Sequence, residues 1–240
     1  MSTLVAYADI NDEEVDSWDG VADDGEGGGS NGTYSVARNG TGSLWLSANT
    51  SYSSAGQNKV VGNATEYDIL QSFLSFDTSS IGTGNTVSDV SFDVRAKYDN
   101  STVDFELQAR LHAWATPLST TSYVPGADLS AKTLLAHYNT SSGWGSTNLL
   151  RTFVDDAFPA NVNRTGNTRI LVVSKDTADN SAPTDASNVA WHSADYTGTS
   201  FDPKLTVTYT AGSPPGFLML ENNSGSYELE DGSGGTKLEN

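Results

Sequence analysis

The sequence predicts an all-β sandwich, and three observations carry the prediction. Ser, Thr, Gly and Asn are abundant while Leu, Lys and Glu are thin, a composition that disfavours long helices and suits short strands joined by turns. The stretch from Tyr67 to Ser79 puts large apolar residues on both parities, Phe73 on one and Leu74 with Phe76 on the other, as a strand covered on both faces requires. Two later stretches alternate with period two. In Val87 to Arg95, Val90, Phe92 and Val94 oppose Ser91, Asp93 and Arg95. In Val103 to Trp114, Phe105, Leu107, Ala109, Leu111 and Ala113 oppose Glu106, Gln108, Arg110 and His112. The turn Tyr98-Asp99-Asn100-Ser101 makes these two the expected antiparallel pair.

Taken in order, Leu4 to Ala8 is a short first strand. Residues 9–33 form an acidic, Gly-rich segment with only Val15, Trp18 and Val21 to bury, and read as a long loop anchored by Trp18. Tyr34 to Arg38 and Ser43 to Ser47 read as short strands, with Asn39-Gly40 as a hairpin signal between them. Val60-Val61 is a strand fragment. Asp77-Thr78-Ser79-Ser80 ends the Tyr67 stretch with side-chain oxygens suited to bonding nearby N–H groups, and Gly82 and Gly84 release the chain. Leu129 to Tyr138 fits either two helical turns capped by Asp128 or an irregular strand, and Leu149 to Phe158 is similarly mixed. Ile170 to Val173 is a buried strand, Ala190 to Ser193 a weaker one, and Lys204 to Tyr209 closes the domain at about residue 210. Residues 211–216 are a Pro/Gly linker. In residues 217–240 Leu-Glu recurs every nine positions, at Leu220, Leu229 and Leu238. Such a ribbon cannot bury Phe217, Leu218, Met219 and Leu220 alone, because an isolated hairpin is marginal in water, so it docks on its own domain or on a neighbour.

The net charge of −18, with 12 Lys plus Arg, excludes nucleic acid and anionic membrane surfaces as partners, since both demand clustered cations. The absence of Cys removes thiol nucleophiles, Cys-based zinc and disulfides, and leaves the redox compartment open. No run matches a membrane span, and Met1 to Val5 lacks the basic start and apolar core of a signal peptide, so the expectation is export by another route if this is the primary product; a processed chain would read the same.

No catalytic residue and no cofactor is assigned. Gly28 to Gly32 matches the nucleophile-elbow string and Gly27 to Gly32 the dinucleotide string, but neither follows a strand or opens a helix, and glycine density alone produces both. Asp104 and Glu106 share a strand face at roughly 6 to 7 Å, a glycosidase-like spacing. Charge pairing with Arg95 and Arg110 explains them more simply. His112, His137 and His192 stand singly, without metal-ligand spacing. The acidic loop offers hard oxygen ligands for Ca²⁺ in Asp16, Asp19, Asp23, Asp24 and Glu26, at a spacing unlike an EF-hand; a solvated charge run is the simpler account. Asn-x-Ser/Thr begins at Asn31, Asn39, Asn49, Asn63, Asn100, Asn139, Asn163 and Asn222, candidate glycan attachment points in a glycosylating cell and otherwise a polar turn vocabulary. Trp45, Trp114, Trp144, Trp191, Tyr123, Tyr138 and Tyr196 are the aromatic residues from which a sugar-stacking platform would be built.

The stretches Tyr67 to Ser79, Val87-Ser88-Asp89-Val90 and Gly166 to Val172, and above all the ending Ser193 to Tyr209, resemble the DNRLRE-type jelly-roll domains. Those occur in cell-surface and secreted proteins as carbohydrate-binding-like modules, with relatives in phage-like virion proteins. The tail, with Leu229 to Gly234 intact and Leu220 to Gly225 degenerate, is similar to endings of such phage-like proteins. The resemblance implies a jelly-roll sandwich over about residues 4 to 210, followed by a C-terminal β-ribbon, and it implies no shared catalytic residues. The expected function is a non-enzymatic subunit of a virion or extracellular assembly whose partner is itself, joined through Leu4, Val5 and Tyr7 of the first strand and Phe217, Leu218, Met219, Leu220, Leu229 and Leu238 of the tail. The alternative is a module binding surface glycans; a glycosidase or lyase rests on the Asp104/Glu106 pair alone.

Overall fold

The computed structural model describes residues 1–9, 13–19, 31–47, 51–62, 64–145, 148–194, 196, 198–212, 220–221, 227–230 and 236–237. Its elements are β1 (Ser2–Tyr7), β2 (Glu13–Asp19), α1 (Tyr34–Arg38), β3 (Ser43–Ser47), β4 (Ser53–Val61), β5 (Thr65–Asp77), β6 (Thr86–Asp99) and β7 (Glu106–Leu111), then α2 (Gly126–Leu129), β8 (Leu134–Asn139), β9 (Leu150–Thr152), β10 (Val154–Asp155) and α3 (Phe158–Asn161). β11 (Asn167–Ser174), α4 (Lys175–Ala178), β12 (Ser187–Trp191) and β13 (Lys204–Thr210) complete the body, and β14 (Leu220–Glu221), β15 (Tyr227–Glu230) and β16 (Thr236–Lys237) form a separate antiparallel sheet in the tail.

The body is a jelly roll, and its hydrogen bonds close into a ring. β1 pairs with β13, β13 with β6 and β6 with β9; β5 pairs with β11, β11 with β7 and β7 with β8. At one side the chain crosses between layers at Phe153, from β9 on β6 to β10 on β8. At the other it crosses after β1, where Ala8 bridges to Phe76 of β5. With the eight ring positions numbered along the chain, one layer reads 1-8-3-6 and the other 2-7-4-5. That is the double Greek key of the jelly roll. β12 and β4 are additions that link the distal half of β6 to the proximal half of β5.

The main core fills the ring. It holds Leu74 and Phe76 of β5, Phe92 and Val94 of β6, Leu107 of β7, Ile170 and Val172 of β11, Trp144, Phe153, Phe158 and Trp191. Phe92 stacks obliquely on Phe153 at 4.7 Å and meets Phe76 edge-on at 6.0 Å. A second core lies on the outer face of the β5–β11 layer. There Val15, Ile69, Phe73, Leu171 and Val173 are covered by Ala37 of α1, Leu118 to Val124, Leu129 of α2 and Ala178 of α4. Both parities of β5 are therefore buried, as its sequence demands.

Several local readings are corrected. Residues 9–33 are not wholly loop, because β2 runs antiparallel along Tyr67–Phe73 of β5 and carries β3 on its other edge. Its acidic composition hides the strand, yet Glu14 is buried and accepts from the backbone N of Ser54 at 2.5 Å and from the Ser54 hydroxyl. Tyr34 to Arg38 is helix rather than strand: Ala37 and Arg38 are buried with Tyr34 half-buried, the i, i+3, i+4 set of one helical face. β6 and β7 do not pair, because the connection between them crosses from one layer to the other. β7 starts at Glu106 and leaves Val103 55% exposed. Gln108 and Arg110, expected outward, are buried. Arg110 donates to the carbonyls of Leu129 and Lys132 at 2.9 and 2.8 Å, closing the end of α2. The residues after α2 form strand β8, so 129–138 holds both a helix end and a strand.

In the tail Leu220 stands opposite Glu228 and Leu229 opposite Lys237. Phe217, Leu218, Met219 and Leu238 lie outside the described residues.

Where β4 leaves β5 for β12, Gly56 adopts φ +144°, and a Cβ there would sit 2.2 Å from the Ser187 carbonyl oxygen and 2.5 Å from Asn188 Cα. Neither backbone atom can yield without opening the β4–β12 ladder. Gly56→Ala is expected to cost roughly 2 to 4 kcal/mol, read as a lowered urea midpoint at unchanged m-value; an unaltered midpoint would show that the two strands separate freely there.

Candidate functional site

Among the described residues two kinds of feature present chemistry at the surface, a polar cleft around Trp114 and strand edges without a partner, of which those of β1 and β3 are the longest in the body. The cleft arises where the outer face of β11 changes character. Val173 and Leu171 lie under the second core, while Arg169 and Asn167, two and four residues earlier on the same face, lie beyond it. The chain leaving β7 crosses this point, and the Arg169 guanidinium sits 5.2 Å over the Trp114 ring while donating to the Trp114 carbonyl. Phe73 meets the same ring edge-on at 5.3 Å.

Three cavities meet here. One of about 340 Å³ lies between Asp9, Ser75, Trp114, Pro117, Asn167 and Arg169. Another of about 500 Å³ runs past His112, Asn161, Asn163, Asn167 and Arg169. A third of about 330 Å³ is bounded by His112, Trp114, Ser122, Asp128 and Lys132. An aromatic edge, a guanidinium and several amides in concave walls are groups that hold a polyhydroxylated ligand. Burial, with Lys132 adding repulsion, pushes the His112 imidazole down to about 4, so it stands neutral.

The remaining aromatic candidates are dispersed. Trp144 and Trp191 are wholly buried, and Tyr123 and Tyr138 nearly so; Trp144 Nε1 donates to the Ala190 carbonyl at 3.1 Å. Tyr196 packs on His192 and Phe201, and Trp45 stands 62% exposed on β3. These residues do not form one platform; composition could not separate core tryptophans from surface ones.

The other candidates fall as follows. Asp104 precedes β7 and accepts from Thr140 Oγ1 at 3.4 Å, while Glu106 accepts from Gln108 Nε2 at 2.9 Å. Arg95 donates to the carbonyls of Ser200 and Asn148, and Arg110 to Gln108 and the carbonyls of Leu129 and Lys132, with Glu106 acting on the Arg110 charge through space. His137 Nδ1 lies 2.7 Å from Asp156 Oδ2 and His192 Nε2 lies 2.6 Å from Asn148 Oδ1. Asp16 and Asp19 belong to β2, at positions of opposite parity; Asp23, Asp24 and Glu26 lie outside the described residues. No group of three or more His, Asp or Glu suited to a metal forms among the described residues. Of the sequons, Asn31, Asn100, Asn139 and Asn163 are exposed and Asn39 is half-buried, while Asn49, Asn63 and Asn222 lie outside the described residues. Asn139 and Asn163 accept from the backbone N of Ser141 and Thr165 at 2.9 and 3.2 Å, and these two sequons are Asx-turns.

The edges were legible only in part. β1 is bonded on one side by β13, and β3 on one side by β2. Leu4 packs on the main core, whereas Val5 and Tyr7 are 46% and 41% exposed. The β3 edge was missed, because an uncharged five-residue strand is not marked as an edge by its own sequence.

No protein-family model matches this chain, and none of the curated proteins matches it. The resemblance to DNRLRE-type domains rests on the residues quoted for it.

His112 gives a pH test of the cleft wall. Between about 4 and its unfolded value of about 6.5 the unfolded chain binds the proton and the native chain does not. Stability on this account is full above that window and falls as pH drops through it. Asp68, pushed up to about 6 by burial and by Glu66, acts with the opposite sign, losing its contribution as pH rises through that value, but it is common to both proteins compared. His112→Asn is expected to flatten the dependence of Tm on pH between 4 and 6.5; an identical slope would place the imidazole in solvent.

Proposed function

We propose that this protein is a non-enzymatic structural subunit that self-assembles into an extracellular or virion, phage-like fibre, appendage or surface layer, through exchange of strands or tails between protomers. The observation that carries the reading is that, among the described residues, β1 and β3 are each bonded on one side only. Monomeric β-proteins blunt their edges with Lys, Pro or bulges. β1 reads Ser-Thr-Leu-Val-Ala-Tyr and β3 Ser-Leu-Trp-Leu-Ser, without charge or proline, and their ladders run without a register shift. In a chain of net charge −18, two neutral edges are the places where copies approach with least repulsion. The tail sheet, with strands of two, four and two residues, is too small to stand alone and is the alternative connector.

Sedimentation velocity tests the subunit reading. Association is expected to rise with protein concentration and with salt, which screens like charges; a monomer under all conditions would overturn it. Deleting residues 213–240 separates the connectors, and an unchanged assembly removes the tail from that role.

A second reading, glycan binding, is favoured by the Trp114–Arg169 cleft with Asn161, Asn163 and Asn167 in its walls. On a glycan array Trp114→Ala is expected to abolish binding, with Tm lowered by the lost contact with Phe73 and the fold retained by circular dichroism. Retained binding would move the ligand elsewhere.

A further inference from the structure

The geometry points to one joint: β1 of one subunit lies along β3 of the next, so that contacts run head to tail without closing. This rests on the subunit reading above and names its interface.

The direction of the backbone groups defines the open side of β1. Ala8 N donates to the Pro203 carbonyl at 2.9 Å, toward β13, and Asp9 N donates to the Ser75 carbonyl at 2.8 Å, toward β5. In an antiparallel strand the N–H and C=O of one residue point the same way and neighbours alternate. Thr3, Val5 and Tyr7 therefore turn both groups away from β13. Past Ala8 that side is taken by β5; along Ser2–Tyr7 no described strand takes it.

β3 matches this edge in length and chemistry. The strands have six and five residues, neither carries a charge, and each keeps its core residues inward: Leu4 and Ala6 on the main core, Leu44 and Leu46 on the second. Their other rows hold Val5, Tyr7 and Trp45, which are 46, 41 and 62% exposed. Side by side, these rows make the aromatic and β-branched cross-strand pairs that stabilise sheets.

The alternatives use less of what is exposed. A two-fold joint of β1 with its own copy leaves the β3 edge and Trp45 uncovered. The outer tail strands β14 and β16 have two residues each and cannot cover six. A joint of two unlike patches that does not close propagates as a filament.

Complementation tests the joint. Val5→Pro removes an N–H on the open side and leaves the bonds to β13, a position where an edge strand tolerates proline. Val5→Lys, which keeps every backbone group, is the second variant should the first unfold. Trp45→Lys charges the other edge. Circular dichroism and Tm establish that each folds. The unmodified chain is expected to polymerise, each variant alone to be monomeric, and an equal mixture of a Val5 variant with Trp45→Lys to stop at a 1:1 dimer. A dimer of Trp45→Lys alone would mean a two-fold β1 joint and overturn the proposal, as would a folded mixture that stays monomeric. Either result leaves the subunit reading standing if the unmodified chain assembles; a monomeric unmodified chain overturns both.

Discussion

Everything in this molecule leans on β5, a strand that must be satisfied on four sides at once. Along Tyr67–Phe73 its backbone is paired by β2 on one edge, while β4 and then β11 take the other. Its faces carry the two cores. A buried backbone group without a partner costs about 1 to 3 kcal/mol, so a strand this deep constrains all its neighbours. The residues of β4 before Gly56 have to peel away from β5 to make room for β11, and the N-terminal segment has to cross from β13 to β5 to close the ring. The jelly-roll order follows from meeting those demands with short connections.

The outer layer is fixed by polar side chains rather than by apolar area alone. Arg38 is buried among carbonyls; its Nε donates to that of Thr177 at 2.7 Å and its Nη2 to those of Gly126 and Ala178 at 2.7 and 3.1 Å. A Cβ on Gly126 would lie 2.4 Å from Arg38 Cγ, so the glycine exists to let the guanidinium pass. Gln71, wholly buried on β5, exchanges two bonds with the backbone of Val124 at 2.7 and 3.0 Å. Tyr123 donates to the carbonyls of Ala37 and Arg38 that end α1. These links tie the helices and the loop after Leu118 to one position over β5, and the Trp114 cleft opens where that cover stops.

The two surface features divide the functional readings between them. Edges bind through main-chain groups and ask little of side chains beyond neutrality, whereas a cleft binds through a few placed groups. A cleft wall set by buried ties keeps its shape while the edges are engaged, so an assembled protein can carry a ligand site on each copy. On the subunit reading, the charge of −18 opposes close approach of copies least at strands that carry no charge.

The sequence by itself determined the class of fold and its central strand. Period-two alternation and the doubly apolar run from Tyr67 reflect backbone geometry, which acts locally. It also located β11, β13 and the Asp77 turn, where Ser79 N and Oγ bond Asp77 Oδ1 at 3.0 and 2.6 Å. Only the tertiary structure decided the partners. β6 and β7 look like a hairpin because the turn between them is local, yet the layer change that separates them is set by distant strands. Glu14 looks solvated because its donors come from Ser54, 40 residues away. Whether Trp114 or Trp191 meets solvent, and whether β1 or β3 is an edge, depends on which strands arrive beside them, and no residue's own chemistry encodes that.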